Sequence, residues 1–73
     1  MRVANEIRIL REKSLLTQED FAKELGVAAS TVNRWETGKA RPNMSAMRGI
    51  KTFCESHGYP YEEIEKEWLS HTK

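Results

Sequence analysis

The side chains best suited to chemistry in this sequence are the basic ones of its middle third, which donate hydrogen bonds to anions. Residues 27–51 carry five basic side chains and the single acid Glu36, so their net charge is five minus one, or +4. Residues 52–73 carry two basic and five acidic side chains, a net charge of −3, so the chain total of +1 conceals this asymmetry. The basic segment suits binding to an anionic partner. Alternatively, it complements the charge of the acidic segment within the same chain.

The residues that usually perform catalysis or bind metals are few and scattered. Cys54 is the only cysteine, and together with His57 and His71 it lacks the paired spacing of a zinc site. No nucleophile with a neighbouring base, no glycine-rich phosphate loop and no pair of facing carboxylates is recognisable. We therefore expect no enzymatic activity, no cofactor and no metal, and a buried core position for Cys54.

Length and composition favour one small folded domain over residues 1–73, because 38% of the 73 residues are hydrophobic. A domain of this size buries only about 60% of its unfolded surface, which leaves a homo-oligomer open. No apolar run approaches the roughly 18 residues that a membrane span needs, and no signal sequence is recognisable. We expect a cytoplasmic location and no membrane partner.

Apolar residues at helical spacing, separated by short turn signals, predict an all-α fold of five helices. The first helix ends near Lys13, Thr17 and Gly26 delimit the second, and the third ends near residues 37–38. Asn43 caps the fourth helix, which ends at Gly58. The predicted inward-facing residues of these helices are Val3, Ile7, Leu10, Phe21, Ala22, Leu25, Val32, Trp35, Met47, Ile50, Phe53 and Cys54.

The fifth helix is predicted over about residues 60–70, with Pro60 in its first turn. Its apolar positions are Tyr61, Ile64, Trp68 and Leu69. Trp68 either seals the core of one chain or exposes an apolar patch to a second copy.

Helices two and three have the spacing of a helix-turn-helix over about residues 18–37. With Gln18 counted as the first position, Ala22 is fifth, where two crossing helices need a small side chain. Gly26 is ninth, in the turn, and Val32 and Trp35 are fifteenth and eighteenth, where the second helix faces the core.

The sequence over Thr17–Ala22, the turn at Gly26 and the sequence Trp35-Glu36-Thr37-Gly38 together resemble the lambda-repressor-like (Cro/XRE) helix-turn-helix family. The resemblance covers about residues 3–64 and implies a five-helix domain that binds operator DNA, usually as a dimer. Two positions depart from the family pattern. Ala28 replaces a capping serine or threonine, and Leu15 stands where a glycine often ends the first helix.

The outward face of the third helix is expected to read bases in the major groove. Arg34 is the strongest base-reading candidate because arginine donates two hydrogen bonds to guanine, and it also matches a family base-contact position. Asn33 suits adenine or a phosphate. Ala29 and Ser30 match the remaining family base-contact positions, where they offer an apolar contact to a thymine methyl and a non-selective hydrogen bond.

Phosphate contacts are expected from four residues. Gln18 opens a helix whose first backbone amides form an anion site. Lys39 and Arg41 lie in the loop after the third helix and suit contact with the DNA backbone, and a solvated turn without a partner is the alternative. Thr31 is a further candidate for a phosphate contact.

Arg11 lies on the apolar face of the first helix, where a half-buried guanidinium requires a carboxylate partner. Glu36 is the expected partner, and in the family the equivalent pair joins the first helix to the end of the recognition helix. An exposed, weak surface ion pair is the alternative.

These features predict a transcriptional repressor that occupies a palindromic operator in double-stranded DNA and performs no chemistry. Two alternatives stay open. One is an antitoxin or phage-switch regulator with a protein partner on the acidic fifth helix, and the other is a protein-interaction module that has lost DNA binding.

Overall fold

The computed structural model describes residues 2–70, which form five α-helices and no strand. The helices are α1 (Arg2–Lys13), α2 (Gln18–Leu25), α3 (Ala29–Glu36), α4 (Met44–His57) and α5 (Glu62–Leu69). The predicted all-α class and the five-helix order are confirmed. None of the described helices is long and apolar enough to cross a membrane. His71, one of the residues weighed above as a metal ligand, lies outside the described residues.

The ends of α2 and α4 lie where the sequence predicts them, because both are set by local hydrogen bonds. The Thr17 hydroxyl accepts a hydrogen bond from the Asp20 amide at 3.1 Å, and the Asn43 carboxamide oxygen accepts one from the Ala46 amide at 2.8 Å. Each helix ends at a glycine in the left-handed conformation, Gly26 with φ of 71° and Gly58 with φ of 73°. Side-chain N-caps and left-handed glycines thus delimit both helices.

The two departures from the family pattern have visible local consequences. Leu15 adopts a φ of 60°, the conformation that a glycine would adopt without strain, and its side chain is 91% exposed. The left-handed conformation costs a residue with a Cβ about 1–2 kcal/mol. Ala28 is the N-cap of α3 and provides no side-chain hydrogen bond. The α1–α2 turn therefore lacks a glycine at its left-handed position, and the start of α3 lacks a side-chain N-cap.

The predicted start of α5 is wrong by two residues. Pro60 lies before the N-cap Tyr61 and outside the helix, because the first hydrogen bond of the helical turn runs from the Glu65 amide to the Tyr61 carbonyl. Of the apolar positions of α5, Leu69 is 51% exposed, whereas Ile64 is buried. Trp68 packs against the core in part, as the first of its two predicted alternatives requires.

The core lies between α1, α2, α3, α4 and the inner face of α5, with α1 packed on α3 and α5, and α2 packed on α3 and α4. Phe21 of α2 and Phe53 of α4 meet edge to face, with ring centroids 5.1 Å apart. Cys54 is fully buried as predicted, and burial raises the pKa of its thiol. The thiol therefore stays protonated at neutral pH and serves as a packing group.

Candidate nucleic-acid interface

The α2–α3 pair has the close crossing that the motif spacing predicts. Ala22 is buried where the helices meet, and its carbonyl accepts a hydrogen bond from the Val27 amide at 3.0 Å. Gly26 turns the chain, so only residues 26–28 separate the two helices. This geometry leaves one face of α3 free to protrude from the domain.

The two faces of α3 differ sharply in exposure. Val32 and Trp35 are 0% and 3% exposed and anchor the helix to the core. On the opposite face Ser30, Asn33 and Arg34, three of the predicted base-contact residues, are exposed. Ala29, the fourth predicted base-contact residue, is half-buried and packs partly against the core. Ala29 thus presents less of its side chain than the other three.

Gln18 lies with three of the four predicted base-contact residues, without Arg34, in one open depression between the start of α2 and α3. The depression has a volume of about 660 Å³, and its lining includes Gln18, Ala29, Ser30 and Asn33. The Asn33 carboxamide donates to the Gln18 side-chain oxygen at 3.4 Å, a long hydrogen bond. The structure therefore places the start of α2 directly beside the outward face of α3.

Arg11 and Glu36 form a bidentate ion pair. The Arg11 Nε and Nη2 donate to the two Glu36 carboxylate oxygens at 2.6 and 3.0 Å, and Nη1 donates to the Leu16 carbonyl at 2.8 Å. The side chains are 14% and 4% exposed, so this is not the exposed surface pair of the alternative interpretation. The hydrogen bonds with Glu36 raise the pKa of the Arg11 guanidinium, which therefore stays charged throughout the neutral range.

The chain segment after α3 folds back onto the end of that helix. Gly38 adopts a φ of 78°, and the amides of Lys39 and Ala40 donate to the Arg34 carbonyl at 2.9 and 3.2 Å. Lys39 is exposed. The backbone of Lys39 is thus fixed beside the C-terminal turn of α3, next to Arg34.

Thr31 and Arg41 lie apart from Gln18, in a second depression. Its lining includes Thr31, Arg41, Asn43, Ser45 and the turn residue Gly26. The four predicted phosphate-contact residues therefore do not form one cluster. Gln18 lines the depression at the start of α2, and Thr31 and Arg41 line the depression at the start of α4.

Comparison with known proteins shows which family this chain belongs to. The helix-turn-helix family of the Cro/C1 (XRE) type matches residues 7–54, which is more than half of the chain. The chain belongs to this helix-turn-helix family. The match covers α2, α3 and most of α1 and α4, and α5 lies beyond it. The lambda-repressor-like fold expected from the sequence is consistent with both the match and the five-helix structure.

Two curated proteins are similar to this helix-turn-helix chain. The HTH-type transcriptional activator BcrR of Enterococcus faecalis is 36% identical over 53 residues, which are 73% of this chain and 26% of that protein. The Type II methyltransferase M.SsoII of Shigella sonnei is 31% identical over 64 residues, which are 84% of this chain and 17% of that protein. The chain thus spans about a quarter and about a sixth of these relatives. No solved structure matches significantly.

Sequence reasoning missed the hydrogen bonds that link the partly buried ion pair of this helix-turn-helix domain to its outward face. The Gln18 carboxamide donates to Glu36 at 3.1 Å, and Gln18 in turn accepts from Asn33. One connected set of hydrogen bonds therefore joins Arg11, Glu36, Gln18 and Asn33. No periodicity reveals such a set, because the residues of each hydrogen-bonded pair lie 15 to 25 positions apart in the chain.

Sequence reasoning also missed the contacts of Arg41. The Arg41 guanidinium carbon lies 4.2 Å from the centre of the Trp68 ring, and its Nη2 donates to the Trp68 carbonyl at 3.1 Å. The basic character of Arg41 and the aromatic character of Trp68 were the available signals. Neither indicates a partner 27 residues away.

Proposed function

We propose that this chain is a sequence-specific, double-stranded DNA-binding transcription regulator that inserts α3 into the major groove. The observation that carries the proposal is the outward face of α3, where Ser30, Asn33 and Arg34 are exposed on a helix anchored to the core by Val32 and Trp35. A protruding second helix of this motif is the element that enters the groove. Family membership supports the same function.

In this proposal Arg34 reads a guanine through two hydrogen bonds to its O6 and N7 atoms, a pairing worth about 1–3 kcal/mol of discrimination. Asn33 reads an adenine, with its carboxamide oriented by the hydrogen bond to Gln18. Ser30 adds a non-selective hydrogen bond, and the partly buried Ala29 contacts a thymine methyl. Readout therefore depends chiefly on Asn33 and Arg34.

The DNA backbone is contacted on two sides of the recognition face. At the start of α2 the amides of Gln18 and Glu19 have no partner within the helix, and they provide hydrogen bonds to one phosphate. Lys39, Thr31 and Arg41 contact phosphates at the end of α3 and the start of α4. The separation of Gln18 from Thr31 and Arg41 into two depressions supports contacts with both walls of the groove.

We further propose that the chain acts as a homodimer on a palindromic operator and represses by occluding a promoter. Occupancy of DNA requires only the surface described above, and two copies would read half-sites about 34–36 Å apart. The acidic α5 provides a surface for a protein partner in the antitoxin-like alternative. That alternative keeps the DNA surface and adds a second ligand.

The experiment that tests this function is selection from a randomised double-stranded DNA pool by the full chain, with sequencing, at two salt concentrations. We expect an enriched palindrome, and binding that weakens as salt rises because phosphate contacts release counterions. A pool that stays unenriched, with binding that vanishes at moderate salt, would overturn sequence-specific regulation. The domain would then be a non-specific DNA binder or a protein-interaction module.

Replacement of Lys39 by alanine is expected to weaken binding to all DNA sequences alike and to leave base preference unchanged. The side chain is exposed and follows the recognition helix, so it neutralises a phosphate without touching a base. The slope of log affinity against log salt should become shallower by about one unit. Fluorescence anisotropy on the selected operator and on an unrelated duplex measures both effects.

Arg8→Ala is the matched control for Lys39→Ala, because it removes the same charge from the exposed side of α1. The control should retain the wild-type slope. Equal slopes for Lys39→Ala and the wild type would remove Lys39 from the interface.

A further inference from the structure

The end of α5 holds the loop between α3 and α4 through three contacts made by one residue. The Trp68 indole nitrogen donates to the Pro42 carbonyl at 2.7 Å. The Arg41 guanidinium lies over the Trp68 ring at 4.2 Å and donates to the Trp68 carbonyl at 3.1 Å. Pro42 is fully buried, so the loop is attached to the domain at the residue next to Arg41.

The contact with Trp68 leaves N–H groups of the Arg41 guanidinium available for a further ligand. Among residues 2–70 the only hydrogen bond from this group is the one from Nη2, and Nε and Nη1 have no acceptor within that range. Phosphate is bound by the edge of a guanidinium, in the plane of its N–H groups, and an aromatic ring is bound by its face. Arg41 can therefore keep its contact with Trp68 while it binds a phosphate.

Fixing this side chain before DNA arrives has a consequence for affinity. Ordering a flexible arginine at an interface costs conformational entropy and opposes binding, and a side chain already held in place avoids most of that loss. Arg41 remains solvent-exposed and borders the depression that contains Thr31 and the start of α4. Arg41 thus lies at one of the two proposed phosphate sites.

We propose that Trp68 is a positioning residue for DNA binding, which holds Arg41 ready for a backbone phosphate without touching DNA itself. The proposal rests on the proposed function, because it needs Arg41 to contact phosphate. It assigns part of the DNA affinity to α5, which lies outside the segment that matches the helix-turn-helix family. Trp68 would raise affinity for every duplex and leave base preference unchanged.

A double-mutant cycle in the full chain tests the proposal. The variants are Trp68→Leu, Arg41→Ala and their combination, and the readout is affinity for the selected operator by fluorescence anisotropy across a salt series. Trp68→Phe is the conservative variant, since it keeps an aromatic face for Arg41 and loses the indole hydrogen bond to Pro42. Ile64→Val is the matched control because it removes one methylene from the buried side of the same helix.

We expect Arg41→Ala to flatten the salt slope by about one unit. Trp68→Leu should weaken binding roughly 2- to 10-fold in the wild-type background and leave affinity unchanged in the Arg41→Ala background. Trp68→Phe should bind within about two-fold of wild type because its ring still orients the guanidinium. Ile64→Val should lower stability and leave both affinity and slope unaltered. Urea titrations establish that each variant is folded at the assay temperature.

The outcomes separate this proposal from the proposed function. If the wild type binds no DNA, the function itself fails. If the wild type binds and Arg41→Ala has the wild-type slope, or if Trp68→Leu weakens binding equally in both backgrounds, the positioning role is overturned and the function stands. A Trp68→Leu variant that is folded and binds as tightly as wild type overturns it as well.

Discussion

Replacement of Arg11 by methionine is expected to lower the free energy of unfolding by about 3–5 kcal/mol. The substitution removes two hydrogen bonds from the Glu36 carboxylate, whose side chain is only 4% exposed, and leaves it the Gln18 carboxamide at 3.1 Å. A domain of this length has a total stability of about 4–11 kcal/mol, so the variant should be unfolded in a substantial fraction of molecules. Urea denaturation followed by circular dichroism at pH 7 measures the loss.

Two further variants determine whether the stranded carboxylate causes the loss. Arg8→Met makes the same change at an exposed position of α1, where the guanidinium donates a hydrogen bond to Asn5, and should cost less than about 0.5 kcal/mol. The double variant Arg11→Met, Glu36→Leu should recover much of the loss, because an apolar pair leaves no buried charge. A loss below about 1 kcal/mol for Arg11→Met alone would show that the pair behaves as a surface ion pair.

Replacement of Phe21 by alanine is expected to lower stability by a similar amount, about 3–5 kcal/mol. Phe21 is fully buried on α2, and its ring meets Phe53 of α4 edge to face. The truncation leaves a cavity between the two helices and removes an aromatic contact worth about 0.5–1.5 kcal/mol. The cavity would lie between α2 and α4. Because α2 packs against α3, we expect the position of α3 to be less firmly fixed as well. Thermal and urea unfolding give the change in stability.

Met44→Ala is the matched truncation at the surface, since Met44 is 62% exposed on α4. Its stability should stay within about 0.5 kcal/mol of wild type. Equal losses for Phe21→Ala and Met44→Ala would contradict the arrangement of the core described here.

The boundaries of α2 and α4 were predictable because the features that set them are local. Thr17 caps an amide three residues ahead, as does Asn43, and Gly26 and Gly58 adopt left-handed conformations that other residues reach only with strain. The start of α5 was not predictable in the same way. Pro60 suits a first turn equally well by sequence, and the hydrogen bond to the Tyr61 carbonyl decides otherwise.

The candidate interface was predictable where helical spacing alone separates inward from outward residues. Val32 and Trp35 at the core positions of α3 leave Ser30, Asn33 and Arg34 exposed. The contacts that position the interface join distant parts of the chain. Gln18 reaches Glu36 across 18 residues and Trp68 reaches Pro42 across 26. No local pattern encodes such pairs, because they depend on how complete helices pack.

The exposed face of α3 is the basis of the proposed function, and Arg34 is its strongest base-reading candidate. The most direct test is to repeat the DNA selection with Arg34→Ala and to compare the selected sequences with those of the wild type. We expect the preference for guanine to disappear at one position in each half-site, while the remaining positions and the half-site spacing persist. An unchanged sequence preference in the folded Arg34→Ala protein would contradict the insertion of α3 into the major groove as described here.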